Sequence, residues 1–455
     1  MIEGSAGLTV DRLTALVASN EVDTVVVGIT DMQGRLQGKR FAAAHFLDEV
    51  VSAGTEGCNY LLAVDVDMNT VTGYQMSSWE RGYGDFAMSP DLSTLRLLTW
   101  HPGTAFCVAD VEWADGSPVV ASPRQILQRQ AKRLATHGWH ALAATELEFI
   151  LFNDTYEQAW TSGYRDLVPA NLYNVDYSLL GTGRVEPLLR RIRNEMGSAG
   201  MWVESAKGEC NLGQQEIAFR YTGLVTKADE HALFKMGAKE IASQEACSLT
   251  FMAKYDAREG NSCHIHVSLR DDSDQPVFSG DGNHGFSRVF EQFIAGLLAT
   301  LRELTLFVAP NVNSYKRFVP GSFAPTALTW GHDNRSCALR VVGHHPAALR
   351  VECRVPGGDV NPYLALAAMV AGGMYGIEQG LVLEPEFEGN AYDSDKPRLP
   401  TTLKEAAGLF AASSVAREAF GDEVVDHYAN MARVELEAFE STVTDWERYR
   451  GFERL

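Results

Sequence analysis

Four short segments carry acidic, imidazole and guanidinium side chains at every second position. Within Thr145–Ile150, Glu146 and Glu148 alternate with Leu147 and Phe149. Glu216 and Arg220 fall on one parity of Glu216–Tyr221, as do His264, His266 and Ser268 within His264–Ser268. In Arg350–Arg354, Arg350, Glu352 and Arg354 oppose Val351 and Cys353. Residues two apart on a strand share a face, so each segment, read as a strand, turns its polar residues to one side. A single such segment reads as an amphipathic strand with a wet outer face. Four in one part of a chain, rich in Glu, His and Arg rather than Lys, Thr or Ser, point to a polar site facing inward. Clustered carboxylates and imidazoles are the ligand set of Mg²⁺ or Mn²⁺. Clustered arginines suit phosphate and carboxylate, which a guanidinium binds bidentately. A site with both suits metal-bound ATP and an acidic co-substrate. The polar stretches Asn313–Arg317 and Asn334–Arg340 add further arginines, each of which alone would read as a solvated loop residue.

The elements that hold these segments divide the chain in two. Leu8, Leu13, Leu16 and Val17 have helical spacing, and Val22–Ile29 reads as a buried strand. Asp31–Gly34 reads as a turn, with Arg35–Phe41 returning as a second strand. Tyr60–Val64 and Thr94–Trp100 read as further short strands, giving a small, mostly β module over residues 1–115. A turn at Asp115–Pro118 marks the boundary. Ser122-Pro123 then opens a helix as N-cap and first-turn proline, stopped at Gly138, and Asn361-Pro362 opens another. Strands and helices alternate through residues 116–455, an α+β module. Glu384–Pro400 reads as a surface loop.

Composition narrows the function further. With 455 residues, two domains are expected. A formal net charge of −20 repels nucleic acid and anionic lipid, so neither is expected as a partner. Seven cysteines without a CxxC pair argue against a disulfide framework or zinc ribbon and for buried thiols in a reducing cytoplasm. The N-terminus lacks the pattern of a secretion signal. The longest near-apolar run, Tyr363–Ile377, falls short of the roughly 18–20 residues of a membrane span and reads as a buried helix.

Asn313–Gly321, Ala324-Pro325, Asn334–Ser336, Gly213–Glu216, Phe251–Lys254, Asn361–Ala365 and the Glu146/Glu148 pair occur in an order that resembles class I glutamine synthetases over nearly the whole chain. The resemblance implies an N-terminal β-grasp domain and a C-terminal catalytic domain with a curved antiparallel sheet. It implies a homo-oligomer, a dodecamer of two hexameric rings with active sites between subunits. Glu148, Glu209 and Glu216 then match one metal site, and Glu146, His264 and Glu352 a second. Arg317, Arg354 and Gly260 match glutamate-binding positions. Arg335, Arg340 and Arg350 match arginines around the ATP phosphates, and Glu204, Tyr221, His266 and Ser268 match nucleotide contacts. Asp31 matches an aspartate that reaches a neighbouring subunit's ammonium site. The implied reaction is ATP-dependent activation of glutamate as γ-glutamyl phosphate, followed by attack of an amine.

The chain departs from that pattern at the amine pocket. Pro320–Pro325 places Phe323 where ammonia-using members carry a glutamate on a flap. The Asp-Gly-Ser-Ser stretch of the N-terminal domain is missing, with Gly57–Leu62 nearby instead. The metal, phosphate and glutamate positions are retained. This resembles the branch that joins glutamate to larger amines, such as ethanolamine or polyamines, and Thr30–Lys39 and Gly82–Asp85 are most similar to glutamate–ethanolamine ligase-like members. The alternatives are an ammonia-using glutamine synthetase, a non-catalytic regulatory paralogue and a guanidino-kinase-type phosphotransferase. The last would lack the β-grasp domain and this signature. Tyr392 lies near a tyrosine adenylylated in some members, but its flanks match poorly and it reads as a loop residue.

Overall fold

The structure, a computed structural model, describes residues 7–455. The first module is a mixed six-stranded sheet: β1 (Thr24–Thr30), β2 (Leu36–Ala42), β3 (Thr55–Cys58), β4 (Asp85–Pro90), β5 (Arg96–Leu97) and β6 (Thr104–Glu112). The strand order is β2-β1-β6-β4-β3, with β5 on β6. β1 and β2 form the expected hairpin, and β1 runs parallel to β6, the β-grasp arrangement. The inward residues of β1, Val25, Val27 and Ile29, are buried with Leu13 and Leu16 of helix Val10–Ala18. That helix starts at Thr9, whose side chain accepts the Arg12 amide proton and so satisfies an otherwise orphaned donor.

Three details of this module differ from expectation. Residues 43–53 are helical, with a π-helical turn at Phe46–Val50. Asn59–Leu62 is a 3₁₀ turn rather than a strand, because Ala63 N–H closes onto the Tyr60 carbonyl. Only Arg96–Leu97 of the Thr94–Trp100 stretch is strand, since the preceding Leu92–Thr94 is held as a 3₁₀ turn by Asp91, which accepts from the Ser93 amide.

The larger module is built on a nine-stranded sheet: β7 (Trp139–Phe152), β8 (Val203–Gly208), β9 (Gln214–Phe219), β10 (Thr222–Gly223), β11 (Ser248–Thr250), β12 (Cys263–Asp271), β13 (Trp330–His332), β14 (Leu339–Val342) and β15 (Arg350–Cys353). The main path runs β13-β14-β15-β12-β7-β9-β8, antiparallel except for β13 beside β14. Behind it pack the helices Pro123–Ala135, Leu224–Gln244, Arg288–Thr300 and Pro362–Glu378. The last is almost wholly buried, as its apolar sequence implied. It is N-capped by Asn361, which accepts from the Tyr363 amide, whereas Ser122 makes no side-chain cap bond. No helix among the described residues is long and apolar enough to cross a membrane.

Several polar contacts join the modules, among them two that are buried. Asn361 Nδ2 donates to the carbonyls of Asp31 and Met32, both at 3.1 Å. The buried Arg124 pairs with Asp91, Asp110 and Asp229 at 2.7, 2.8 and 3.0 Å. Burying a guanidinium is tolerable only with such partners. The Glu384–Pro400 segment is more than a surface loop: Phe387 N–H bonds to the Trp330 carbonyl, and Ala391 and Leu399 are buried. All seven cysteines are free thiols.

Candidate active site

Strand register brings the polar residues together. Glu216 of β9 sits directly across from Glu148 of β7, and Lys207 of β8 across from Glu216. On the other side of β7, Glu146 faces His264 of β12. His266 then faces Glu352 of β15, which faces Arg340 of β14. Directly opposed residues have Cβ atoms about 4.5–5.5 Å apart, so this row concentrates four carboxylates, two imidazoles and two cations on one sheet face. All of them but His266 line a cleft of about 690 Å³ together with Glu209, Gly260, Phe323, Arg335 and Arg354.

Two sets of converging donors lie in it. One oxygen from each of Glu148, Glu209 and Glu216 falls within 4.8 Å of the others. Glu148 is fixed by the Ser262 amide at 2.7 Å and Gln214 Nε2 at 3.0 Å. The Lys207 ammonium touches Glu209 and lies 3.7 Å from Glu216. Burial and the carboxylates of Glu146 and Glu148 push the Glu216 carboxyl up to about 8 despite Lys207. Carboxylates crowded like this call for a cation, and Lys207 supplies part of that charge.

The second set is Glu146, His266 and Glu352, whose donor atoms also converge within 4.8 Å. His264 Nδ1 lies 3.2 Å from Glu146 and 3.6 Å from Glu352, so either imidazole can complete this set. Burial would raise the Glu352 carboxyl, but His264, Arg354 and His266 outweigh it and hold it at about 2. Burial, and then Arg354, lower the His264 imidazole, keeping it in the neutral form a metal requires. Its Nε2 is buried without a hydrogen-bond partner. The His264 Nδ1 at these carboxylates and the oxygen-rich donor sets fit divalent cations of the Mg²⁺ or Mn²⁺ kind.

The remaining expected residues divide between the cleft, its margins and the layer behind it. Arg340 donates to Glu352 at 2.8 Å and to Asp333 at 3.0 Å. Arg354 contacts Glu352 and donates to the carbonyls of Arg335, at 3.1 Å, and Phe323, at 3.4 Å. Gly260 lines the cleft where no larger residue fits: a Cβ there would meet the Ala253 carbonyl oxygen at 2.1 Å. Glu204 and Ser205 also line a neighbouring cavity that includes Tyr221, Trp202, Arg220 and Leu142. Ser268 stands opposite Leu142, at the same margin. Arg350 Nε donates to His266 Nδ1 at 3.2 Å, so it orients that ring.

Two of the expected residues are engaged by bonds within this chain. Asp31 is buried in the β1–β2 turn. Its side chain is 0% exposed, and its carboxylate accepts from the Gln33 and Arg35 amides and from the Arg35 and Gln37 side chains. These bonds fold the β1–β2 turn. Arg317 lies behind the cleft wall rather than on it, 2% exposed, donating to the Val355 and Arg354 carbonyls and to Ser262 Oγ. Those bonds position Arg354 and the Ser262 amide that holds Glu148. Several lining residues went unread in the sequence, among them Asp176, Tyr177, Lys207, Gln214 and Glu259. Lys207 and Glu209 stand two apart, the same alternation that exposed the others. Asp176 and Tyr177 lie outside regular strands, where no periodicity marks them. Tyr392 is half-buried in the 3₁₀ turn Ala391–Asp393.

This combination of a β-grasp sheet and a carboxylate-rich antiparallel sheet defines the class of protein, and sequence comparison agrees. A profile of the glutamine synthetase catalytic domain matches residues 120–450, and the chain belongs to the glutamine synthetase family. It is 65% identical over 448 residues to the gamma-glutamylethanolamide synthetase GlnA4 of Streptomyces coelicolor, covering 98% of this chain and 96% of that protein. It is 37% identical over 445 residues to a glutamate–isopropylamine ligase of a Pseudomonas species, covering 96% and 97%. Among solved structures, GmaS in complex with ADP superposes with a TM-score of 0.85 at 27% identity, over 97% of this chain and 99% of that one.

Proposed function

We propose that this protein is an ATP-dependent glutamate–amine ligase whose amine is ethanolamine or a similar alkylamine. The observation that carries the reading is the cleft itself. Two metal-binding sets and the arginines for an acidic substrate and phosphate are in place, while the flap residue beside them is Phe323. Its ring is 58% exposed and it lines the cleft. The 65% identity to a gamma-glutamylethanolamide synthetase supports the choice of ethanolamine.

In this reading Glu148, Glu209 and Glu216 hold one Mg²⁺ or Mn²⁺, and Glu146 and Glu352 with His264 or His266 hold a second. When bound, these ions neutralise phosphate charge and draw it from the γ-phosphorus. Glu204, Tyr221 and Ser268 mark the nucleotide end, and Arg350 acts there through His266. Arg354, with Gly260, holds the glutamate α-carboxylate end, and Arg317 fixes Arg354 from behind. The γ-carboxylate of glutamate attacks the γ-phosphorus as the bond to ADP breaks, and Arg335 and Arg340 stabilise the transferring oxygens. The amine, having lost a proton, attacks the γ-glutamyl carbon and inorganic phosphate leaves.

We take residues 1–115 and 116–455 as two domains, a division supported by the start of the family match at residue 120. An oligomer with shared sites, such as a dodecamer of two rings, is supported by the cleft having, among the described residues, no lining residue before Glu146. At the edge formed by Gly57–Leu62 and Gly82–Asp85, Tyr83 contacts Tyr60 and the nearby Trp79, with ring centroids 6.5 and 5.0 Å apart, and Trp79 is 73% exposed. An apolar aromatic edge of this kind suits the amine pocket of a neighbouring subunit. Free thiols throughout support a cytoplasmic location. The test is phosphate release from ATP and glutamate across ammonia, methylamine, ethanolamine, putrescine and spermine. Ethanolamine should give the highest kcat/KM. If ammonia does, this is an ordinary glutamine synthetase with an altered flap.

A further inference from the structure

At the β13 end of the large sheet, outside the lining of the cleft, three side chains from separate segments meet. His332 ends the edge strand β13. Glu386 lies on the segment that pairs with that strand through the Phe387 amide and the Trp330 carbonyl. His284 comes from the turn Asn283–Gly285, between Ser279 and Phe286, which bridge to each other. The His284 and His332 rings lie 4.4 Å apart between centroids, and His332 stacks on the buried Phe286 at 5.2 Å. His332 Nδ1 stands 2.5 Å from Glu386 Oε2, which also accepts from the His332 amide at 3.3 Å. One donor atom from each of the three lies within 4.8 Å of the others.

We propose that His284, His332 and Glu386 form a further metal site, distinct from the two in the cleft and suited to zinc. Two imidazoles and one carboxylate are a ligand set that favours zinc over Mg²⁺, which is held by oxygens. Zinc takes its nitrogen and oxygen ligands at about 2.0–2.2 Å in a tetrahedral array, so the His284 donor must draw closer and the His332–Glu386 hydrogen bond must open around the ion. His284 is exposed and can turn to do so, while His332 is held by its stack. The remaining coordination position opens to water.

Such an ion would cross-link three segments that are distant in sequence. One of them holds the Arg335 loop: Asn334 Nδ2 donates to the Gly389 carbonyl at 2.9 Å and to the Phe387 carbonyl at 3.4 Å. Zinc here therefore acts as a clamp on the loop next to the cleft, without touching substrate. The proposal does not depend on the identity of the amine.

The test uses the full-length protein, stripped with a chelator and dialysed against graded zinc in excess MgCl₂, with zinc per chain measured by mass spectrometry. The unaltered protein should hold one zinc per chain more than His284→Ala and Glu386→Gln. Zinc carried by catalytic carboxylates cancels in that difference. Loss of an outer-shell partner alone weakens metal binding about 10–100-fold, so loss of a direct ligand should shift the zinc midpoint at least as far. Zinc should also raise the Tm of the unaltered protein more than that of either variant. Magnesium-dependent phosphate release should stay unchanged in both variants, showing that they fold. Equal zinc content in all three proteins across the series would overturn the proposal.

Discussion

Phe323 sits in the left-handed region, at φ 58°, where a side chain other than glycine is costly, and its ring still projects into the cleft. A glutamate there would offer a cation a charge and a proton acceptor. Phenylalanine offers an apolar wall and a π-face. Each methylene an amine buries against that wall is worth up to about 0.8 kcal/mol, which ammonia cannot gain. Phe323→Glu should therefore lower kcat/KM for ethanolamine and raise it for ammonia, read in the same phosphate-release assay. No change in the ratio would mean that selectivity lies elsewhere. Arg354 supports a second expectation. Its guanidinium spans Glu352, the Arg335 carbonyl and the flap carbonyl of Phe323, a geometry lysine cannot copy. A charge-assisted contact is worth about 1.5–3 kcal/mol, so Arg354→Lys should weaken glutamate use by roughly ten- to a hundredfold. An unchanged KM for glutamate would contradict its placement.

Helix Pro362–Glu378 and helix Arg288–Thr300 approach so closely that a Cβ at Gly376 would meet the Gln292 carbonyl oxygen at 2.0 Å and Gly296 N at 2.5 Å. Backbone cannot step aside as a flexible side chain can, so Gly376→Ala should destabilise by about 1–3 kcal/mol or more in urea unfolding. An unchanged midpoint would show that the helices separate freely. The glycines in Tyr363–Ile377 could be read as interruptions of an apolar run, but their use as a contact surface depends on a helix some 70 positions earlier in the chain. The site strands were legible for the opposite reason. Glu146 with Glu148, and His264 with His266, announce a polar face through a local period of two. What could not be read was register. Whether His264 or His266 meets Glu352 depends on which strands pair, and the structure sets both imidazoles against the same carboxylates. The structural part of Asp31 was not legible either, because an aspartate that closes a turn and pairs with Arg35 looks the same in sequence as one offered to a ligand.

Across the whole molecule, the two modules meet around a buried histidine. His427, on helix Asp422–Ser441, reaches Met32 of the β1–β2 turn with Nε2 3.0 Å from the sulfur, and stacks near Tyr74 at 4.5 Å. Burial lowers its imidazole from 6.5 to about 4. The unfolded chain therefore binds a proton at higher pH than the folded one, and this contribution to stability is lost as pH falls from about 6.5 to 4. The loss amounts to about 3 kcal/mol. In His427→Gln, unfolding free energy should fall less steeply over that interval, and parallel pH profiles would show that His427 does not govern the junction. The same junction leaves the catalytic cleft lined only by the larger module, with Phe323 on its flap. The central claim is that this cleft joins glutamate to an alkylamine in preference to ammonia. The most direct measurement is a competition: protein, ATP, MgCl₂ and glutamate with equal ammonia and ethanolamine, and products resolved by mass spectrometry. The account predicts γ-glutamylethanolamide in large excess over glutamine. Glutamine as the main product would contradict it.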